Sequence, residues 1–171
     1  MKIEIVDNFL SSYNSDILIK TLNGTKMGPG CFQWAFMNDM NYESYVGNYY
    51  FNHVLVVNYE VIDSYWMPLF TPLLDKLKIA LSNVYRLKVN LYTRTQRRVH
   101  HSSHKDYNPN EGFRTALYYV NTNNGVTIFD GKKTVKSIEN RIALFDGSNK
   151  HHSTTPTDCN YRSTINIDYK L

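Results

Sequence analysis

The second half of the chain breaks into short strand-like segments separated by turn residues, and this pattern limits the folds it can adopt. From residue 85 onward, stretches rich in β-branched and aromatic residues alternate with turn signals such as Asn108-Pro109, Asn123-Asn124-Gly125 and Asp146-Gly147. The predicted strands span residues 85–94, 99–104, 113–120, 126–129, 134–137, 142–145, 152–155 and 162–169. About eight strands at this spacing predict a sandwich or barrel of the jelly-roll type.

The first half predicts a smaller support made of strands and helices. Alternation predicts a strand over residues 2–6, and a helix should begin at Ser11 or Ser12 and end at Asn23-Gly24. Strands are expected over residues 31–37 and 49–59, with a turn at Gly28-Pro29-Gly30 before the first of them. Apolar residues recur at helical spacing over residues 63–83, which predicts one long helix whose regular part begins near Pro72.

The composition fits one globular domain that is mainly β with flanking helices (α+β). A chain of 171 residues is long enough for a single core, in which residues 1–84 form the support and residues 85–171 the β core. The 14 tyrosines favour strands, because aromatic side chains fit a pleated, half-buried surface.

Charge and cysteine content narrow the partners and the location. The net charge of +4 is too small and too scattered to indicate nucleic acid, but it is compatible with an anionic small ligand. We interpret Cys31 and Cys159 as free thiols of a reducing cytosol. No apolar signal-peptide region and no run of the roughly 20 residues of a membrane span are present, so we expect a soluble, cytoplasmic protein.

One short motif, His104-x-Asp106, carries the chemistry of a metal site. Residues two apart on an extended segment point to the same side, so this imidazole and this carboxylate can meet one ion. Alone, the pair is also typical of a solvated loop. The stretch that begins at His151 offers a third ligand, which we predict to be His152, with His151 pointing the opposite way. Two histidines and one carboxylate leave three coordination positions open, as in non-haem Fe(II) oxygenases.

Polar residues follow one face of two predicted strands. They are Arg162, Thr164, Asn166 and Asp168 on the last strand and Arg86, Lys88, Asn90 and Tyr92 on the strand over residues 85–94. Such polar faces are commonly just exposed to solvent. Taken with the metal motif, they predict a polar barrel interior in which Arg162 pairs with a carboxylate of a ligand and Thr164, Asn90 and Tyr92 add hydrogen bonds to it.

Several segments together resemble a known family, the 2-oxoglutarate- and Fe(II)-dependent dioxygenases. The resemblance is to its small, prolyl-4-hydroxylase-like members found among phage and bacterial proteins, and it covers residues 86–171. The matching segments are Asn90-Leu-Tyr92, His104-Lys-Asp106, Thr115-Ala-Leu-Tyr-Tyr119-Val-Asn121, Gly125-Val-Thr127-Ile-Phe129, Asn140-Arg141, Phe145-Asp146, His152 and Arg162.

The resemblance implies a double-stranded β-helix with Fe(II) held by His104, Asp106 and His152. It also implies that 2-oxoglutarate chelates the iron while Arg162 binds its far carboxylate. Asp168 stands where the nucleic-acid demethylase branch carries a second arginine, which counts against that branch.

The function implied is an O2-dependent hydroxylase that acts on an unactivated C–H bond and releases succinate and CO2. Its substrate would be a small molecule or a peptide, such as a free amino acid or a prolyl residue, and a phage-encoded enzyme would act in the host cytoplasm. Tyr119, Tyr107 and Arg114 are candidate substrate contacts, although core packing or exposure is the commoner role of such residues. The sequence leaves monomer and dimer both open.

Two alternatives remain from the sequence. A non-catalytic, cupin-like barrel could use the same ligands to bind or sense a small acid, and a coat or interaction protein would leave the ligand set unexplained. His100 and His101 are expected at the rim of the site or in solvent, and His53 is expected to be packed in its strand. Loops over residues 38–47 and 94–100 are expected to select the substrate.

Overall fold

Two antiparallel sheets pack face to face, and two helices cover the outer face of the larger sheet. The structure is a computed structural model that describes residues 2–24, 31–38, 48–130 and 133–170. The turn predicted at Gly28-Pro29-Gly30 and nearly all of the loop over residues 38–47 lie outside these residues. No helix in the described ranges is long and apolar enough to cross a bilayer.

Strands outnumber helices in the described part of the chain. The strands are β1 (Ile3–Val6), β2 (Ala35–Met37), β3 (Tyr50–Val57), β4 (Glu60–Val61), β5 (Val84–Thr93), β6 (Arg114–Tyr119), β7 (Val126–Phe129), β8 (Lys133–Lys136), β9 (Arg141–Asp146), β10 (His151–Ser153) and β11 (Tyr161–Tyr169). The helices are α1 (Ser12–Leu22) and α2 (Met67–Leu77), with short 3-10 turns at Leu81–Asn83 and Pro109–Glu111.

The last strand lies in the middle of the larger sheet. That sheet has the order β1-β9-β6-β11-β5-β3-β2, with β4 paired to β3, and the smaller sheet has the order β10-β7-β8. In the β5–β11 pair, Arg162 lies opposite Tyr92 and Asp168 lies opposite Arg86. Directly opposed residues project from the same face, so the two polar rows predicted from the sequence form one polar surface between the sheets.

The alternate residues of the same strands form the main apolar core. Leu87, Val89, Ile165 and Ile167 are fully buried, and the buried cluster they join includes side chains from both helices, Leu18, Leu22, Phe70, Leu73 and Leu74 among them. Each such side chain contributes roughly 1.5–3 kcal/mol on burial. A second, smaller cluster around Phe129 and Phe145 lies between the two sheets.

The first helix follows its sequence signals closely. The Ser11 side chain accepts a hydrogen bond from the Asn14 N–H at 3.3 Å, and Gly24 just beyond the helix has a φ of 65°. The predicted beginning and end of this helix are therefore confirmed.

The second helix is shorter than its apolar pattern predicted. It begins at Met67, so Pro68 occupies the first turn and Pro72 lies inside, where it cannot donate the usual backbone hydrogen bond. It ends at Lys78, whose φ of 57° is left-handed and turns the chain away. The predicted starting point near Pro72 is wrong, and Leu81 belongs to a separate 3-10 turn.

Two predicted strands also need correction. Residues 99–104 form only isolated bridges, His100 with Thr154 and His104 with His151. The strand predicted over residues 152–155 begins one residue earlier, at His151. It ends earlier too: the Thr155 N–H bonds the carbonyl of Val99 and Pro156 follows, so the ladder does not continue there.

We expect truncation of a core aromatic to test the packing of α2 on the larger sheet. Phe70 is 0% exposed, so Phe70→Ala should lower the free energy of unfolding by about 3–5 kcal/mol, measured by urea denaturation. Tyr13 on α1 is 73% exposed, and Tyr13→Ala should change it by less than about 0.5 kcal/mol. Equal effects of the two variants would contradict this arrangement.

Candidate active site

Three side chains that can bind a metal converge between the two sheets. One ligand atom from each of His104, Asp106 and His151 lies within 4.8 Å of the other two. His151 Nε2 is 3.6 Å from Asp106 Oδ2, and His104 Nε2 is 3.9 Å from Asp106 Oδ1. Such separations suit three groups that each approach one ion to about 2.0–2.2 Å.

Backbone pairing decides which histidine joins the cluster. The His104 N–H donates to the His151 carbonyl at 2.9 Å, and the His151 N–H donates to the His104 carbonyl at 2.8 Å. This mutual pair places the two residues directly opposite each other, so both rings project from the same face. Their ring centroids are 4.7 Å apart.

The cluster therefore contains His151 in place of His152, the third ligand predicted from the sequence. Neighbouring residues of a strand point to opposite faces, so His152 turns away from Asp106. Its Nε2 lies 3.4 Å from Nδ1 of His100, outside the cluster. The sequence indicated that only one of the two adjacent histidines could face the site, but it did not fix their pairing with His104.

Backbone carbonyls set the protonation of both rings in the cluster. His104 Nδ1 lies 3.2 Å from the carbonyl of Ser102, and His151 Nδ1 lies 2.9 Å from that of Asn149. A carbonyl only accepts, so each Nδ1 carries the proton and each Nε2 keeps a lone pair. Burial and the neighbouring His151 lower the pKa of His104, which favours its neutral, metal-binding form.

The carboxylate has one oxygen engaged and one left over. The Asp106 side chain is 4% exposed, and its Oδ1 accepts from Arg86 Nη2 at 2.8 Å. Its Oδ2 is buried without a hydrogen-bond partner. Burial acts to raise the pKa of Asp106, but the charges of His151, Arg86 and His104 outweigh it and hold the pKa below its usual range. An unpartnered buried anionic oxygen beside two imidazole lone pairs fits a divalent cation.

A second carboxylate holds Arg86 in place behind Asp106. Asp168 Oδ2 accepts from Arg86 Nε at 2.7 Å, and its Oδ1 accepts from Thr115 Oγ1 at 2.8 Å. Tyr107, predicted as a substrate contact, donates to Asp168 Oδ2 at 3.2 Å and stacks on Phe113. Sequence reasoning missed Arg86, although its place on the same predicted polar face as Asn90 and Tyr92 was the available signal.

At the Arg162 end of the same surface lies a buried cation without a counterion. Arg162 is 1% exposed; its Nε donates to Ser137 Oγ at 2.7 Å and its Nη2 to Thr127 Oγ1 at 2.9 Å. Its Nη1 is buried with no partner, and no carboxylate in the described ranges lies within ion-pair distance. Gly125 permits this packing, because a Cβ there would lie 2.7 Å from Arg162 Cδ.

A pocket of about 520 Å³, partly open to solvent, connects the cluster to Arg162. The residues predicted to bind the cosubstrate all line it. The lining residues are Tyr50, Lys88, Asn90, Tyr92, His104, Asp106, Leu117, Thr127, His151, Ser153, Arg162, Thr164 and Asn166.

The other candidate substrate contacts lie outside this pocket. Tyr119 is fully buried and donates to Thr127 Oγ1 at 3.0 Å. It thereby helps to fix the hydroxyl that accepts from Arg162. Arg114 lines a separate surface groove with Asp146 and Glu4. Neither side chain lines the pocket, and their role as substrate contacts stays a prediction.

The remaining histidines divide between the core and the surface. His101 is 3% exposed, contrary to its predicted place at the rim, and its ring packs against Tyr92 with centroids 5.2 Å apart. Burial, aided by nearby charges, lowers the pKa of His101 to about 3. His53 is packed as predicted, with its ring nitrogens near the Gln33 carbonyl at 2.8 Å and Asp63 Oδ2 at 2.9 Å.

The sequence matches no family model and no curated protein. Solved structures nevertheless share its fold. A prolyl hydroxylase from Trichoplax adhaerens, in complex with a hypoxia inducible factor oxygen degradation domain peptide fragment, superposes with a TM-score of 0.64 at 17% identity. The match covers 98% of this chain and 83% of that one.

Two further solved structures also share the fold of this chain. The viral collagen prolyl hydroxylase of Paramecium Bursaria Chlorella virus-1, in its 2OG complex, gives a TM-score of 0.58 at 14% identity over 100% of this chain and 97% of that one. A Pseudomonas putida prolyl-4-hydroxylase gives 0.60 at 11% identity over 99% and 92%. The predicted fold class, mainly β with a double-stranded β-helix core, is thereby confirmed: the chain has the fold of these hydroxylases.

Two adjacent substitutions should separate the metal ligand from its neighbour. His151→Ala should weaken binding of Co(II) by about 100-fold or more, since losing even a group that supports a ligand costs 10–100-fold. His152→Ala should leave the affinity unchanged, because its ring points away from Asp106. Competition titration with a chelator measures both. A larger loss in His152→Ala would restore the ligand predicted from the sequence.

Proposed function

We propose that this chain is an Fe(II)- and 2-oxoglutarate-dependent dioxygenase that hydroxylates an unactivated C–H bond. One observation carries the proposal: a single pocket is lined by a His-Asp-His cluster and by a buried arginine that has no carboxylate partner. A chelating dicarboxylate satisfies both. The fold shared with prolyl hydroxylases, one of them described as a 2OG complex, supports the same assignment.

His104, Asp106 and His151 would hold the iron. Three protein ligands leave open positions for the oxo acid and O2. Bound there, Fe(II) supplies the activation of O2 that is coupled to conversion of 2-oxoglutarate into succinate and CO2. The protein contributes ligand geometry: the carbonyls of Ser102 and Asn149 fix the imidazoles, and Arg86 fixes Asp106.

Arg162 would bind and orient the far carboxylate of 2-oxoglutarate. Its guanidinium is held by the hydroxyls of Ser137 and Thr127 and lies over the rings of Tyr92 and Tyr119, at 5.3 and 5.7 Å. A planar, prearranged donor fork loses little freedom when a carboxylate binds. Tyr92, Asn90 and Thr164 line the pocket nearby and would add hydrogen bonds to the same molecule.

The substrate would be a prolyl residue of a peptide or a free amino acid. The Trichoplax neighbour was solved with a peptide fragment, which supports a peptide. The pocket is partly open to solvent, so a side chain or a small molecule could approach the metal cluster.

The assignment is tested with protein loaded with Fe(II) without oxygen. Addition of 2-oxoglutarate should produce a visible charge-transfer band, and admission of O2 should bleach it as succinate forms. A band that persists in air would favour a metal and acid binder of the cupin type. Iron-loaded protein that gives neither band nor succinate would refute the proposal.

If the partner of the buried Arg162 is a ligand, Arg162 should destabilise the protein when no ligand is bound. Arg162→Met removes the charge and keeps an apolar stem, so its thermal unfolding temperature should be equal to or above that of the parent. Its 2-oxoglutarate affinity should fall by about tenfold or more, because a charge-assisted hydrogen bond is lost. Isothermal titration of metal-loaded protein measures the affinity. Unchanged affinity would show that the carboxylate binds elsewhere.

A further inference from the structure

A second cation, Lys88, lines the pocket and makes no hydrogen bond or ion pair with any residue the structure describes. Its charge is near enough to the metal cluster to act on the pKa of both His104 and Asp106. We propose that Lys88 and Asn166 form a second carboxylate-binding position, beside the metal cluster and separate from Arg162. The inference rests on the proposed function, which supplies the pocket with its first carboxylate at Arg162.

The two carboxylates near Lys88 are already engaged by Arg86. Asp168 Oδ2 accepts from Arg86 Nε at 2.7 Å, and Asp106 Oδ1 accepts from Arg86 Nη2 at 2.8 Å. Thr115 donates to the other oxygen of Asp168, and the remaining oxygen of Asp106 is part of the metal cluster. No side-chain anion of the described residues is therefore left to neutralise Lys88.

Asn166 places a neutral donor next to the ammonium group. It lies directly opposite Lys88 in the β5–β11 pair, so the two side chains project from the same face with Cβ atoms roughly 5 Å apart. Its Oδ1 accepts from Asn90 Nδ2 at 3.0 Å, which directs its amide NH2 away from that bond. An ammonium and an amide NH2 side by side offer the two donors that a carboxylate accepts.

The positive charge that lines the pocket can accommodate more than one bound anion. The lining contains two cations, Lys88 and Arg162, and one carboxylate, Asp106, which already bonds Arg86. A divalent ion in the cluster would add to the excess. Burial and the charge of Arg86 lower the pKa of Lys88 to about 8, so the ammonium is still the major form at pH 7.

The two positions lie at different points along β11. Asn166, which lies opposite Lys88, is four residues from Arg162, or about 13 Å along the strand at roughly 3.3 Å per residue. Two sources could supply the second group: the carboxylate of 2-oxoglutarate next to its oxo group, or a carboxylate of the substrate itself, as in a free amino acid.

Lys88→Met tests the inference against a matched control. Lys76 lies on the exposed side of α2 and does not line the pocket, and Lys76→Met removes the same charge from the surface. Both variants would be loaded with Mn(II) and titrated with 2-oxoglutarate and with 4-oxopentanoate, which lacks the carboxylate next to the oxo group. Acetate would then be titrated into each protein saturated with 2-oxoglutarate, followed by its NMR relaxation.

Two results support the position and identify its source. A loss of about tenfold or more for 2-oxoglutarate in Lys88→Met, with 4-oxopentanoate unchanged, assigns it to the oxo acid. Unchanged 2-oxoglutarate affinity, with acetate bound by Lys76→Met and not by Lys88→Met, assigns it to a substrate carboxylate.

The inference is overturned if Lys88→Met and Lys76→Met bind all three probes alike. That result leaves the proposed function standing as long as the parent protein binds 2-oxoglutarate. A parent that fails to bind 2-oxoglutarate when loaded with metal would instead count against the proposed function.

Discussion

Charged side chains buried between two sheets must find partners, and this requirement organises the interior of the molecule. A charge taken out of water costs several kcal/mol unless an opposite charge or hydrogen bonds replace its hydration. Asp168 and Arg86 meet the requirement by pairing with each other. Asp106 Oδ2 and Arg162 Nη1 are buried and do not meet it within the described residues, and the half-buried Lys88 has no ion pair there. The polar groups left over in the pocket are the ones a metal ion and a dicarboxylate would satisfy.

The larger sheet can hold this arrangement because one of its faces is apolar and the other is polar. The outer face of the central strands packs on α1 and α2 through fully buried aliphatic side chains, Leu87, Ile165 and Ile167 among them. The inner face of the same strands carries the polar row. Because β11 is hydrogen-bonded to β5 on one side and to β6 on the other, Arg162 is placed by a rigid element. A binding group on such an element keeps its geometry better than one on a loop.

Much of this arrangement could be predicted from the sequence, because the signals that determine it are local. Alternation has a period of two in any strand, so it fixed which residues of β5 and β11 share a face before any contact was known. Helix caps are equally local, and Ser11 was found from its own neighbours. His104 and Asp106 follow the same logic, since they are two residues apart.

Apart from the bounds of α2, the errors concern tertiary pairing, which local patterns do not contain. His151 and His152 are equivalent in the sequence, and only the backbone bonds between His104 and His151 distinguish them. Residues 99–104 have the composition of a strand, but they form only two isolated bridges, His100 with Thr154 and His104 with His151. The burial of His101 and the support that Tyr107 gives to Asp168 likewise depend on segments distant in the chain.

The central claim is that His104, Asp106 and His151 surround one metal ion, and a crystal soaked in Zn(II) tests it most directly. Anomalous diffraction at the zinc edge should show one strong peak about 2.0–2.2 Å from His104 Nε2, His151 Nε2 and Asp106 Oδ2. A peak between His100 and His152, or none within reach of Asp106, would contradict the account.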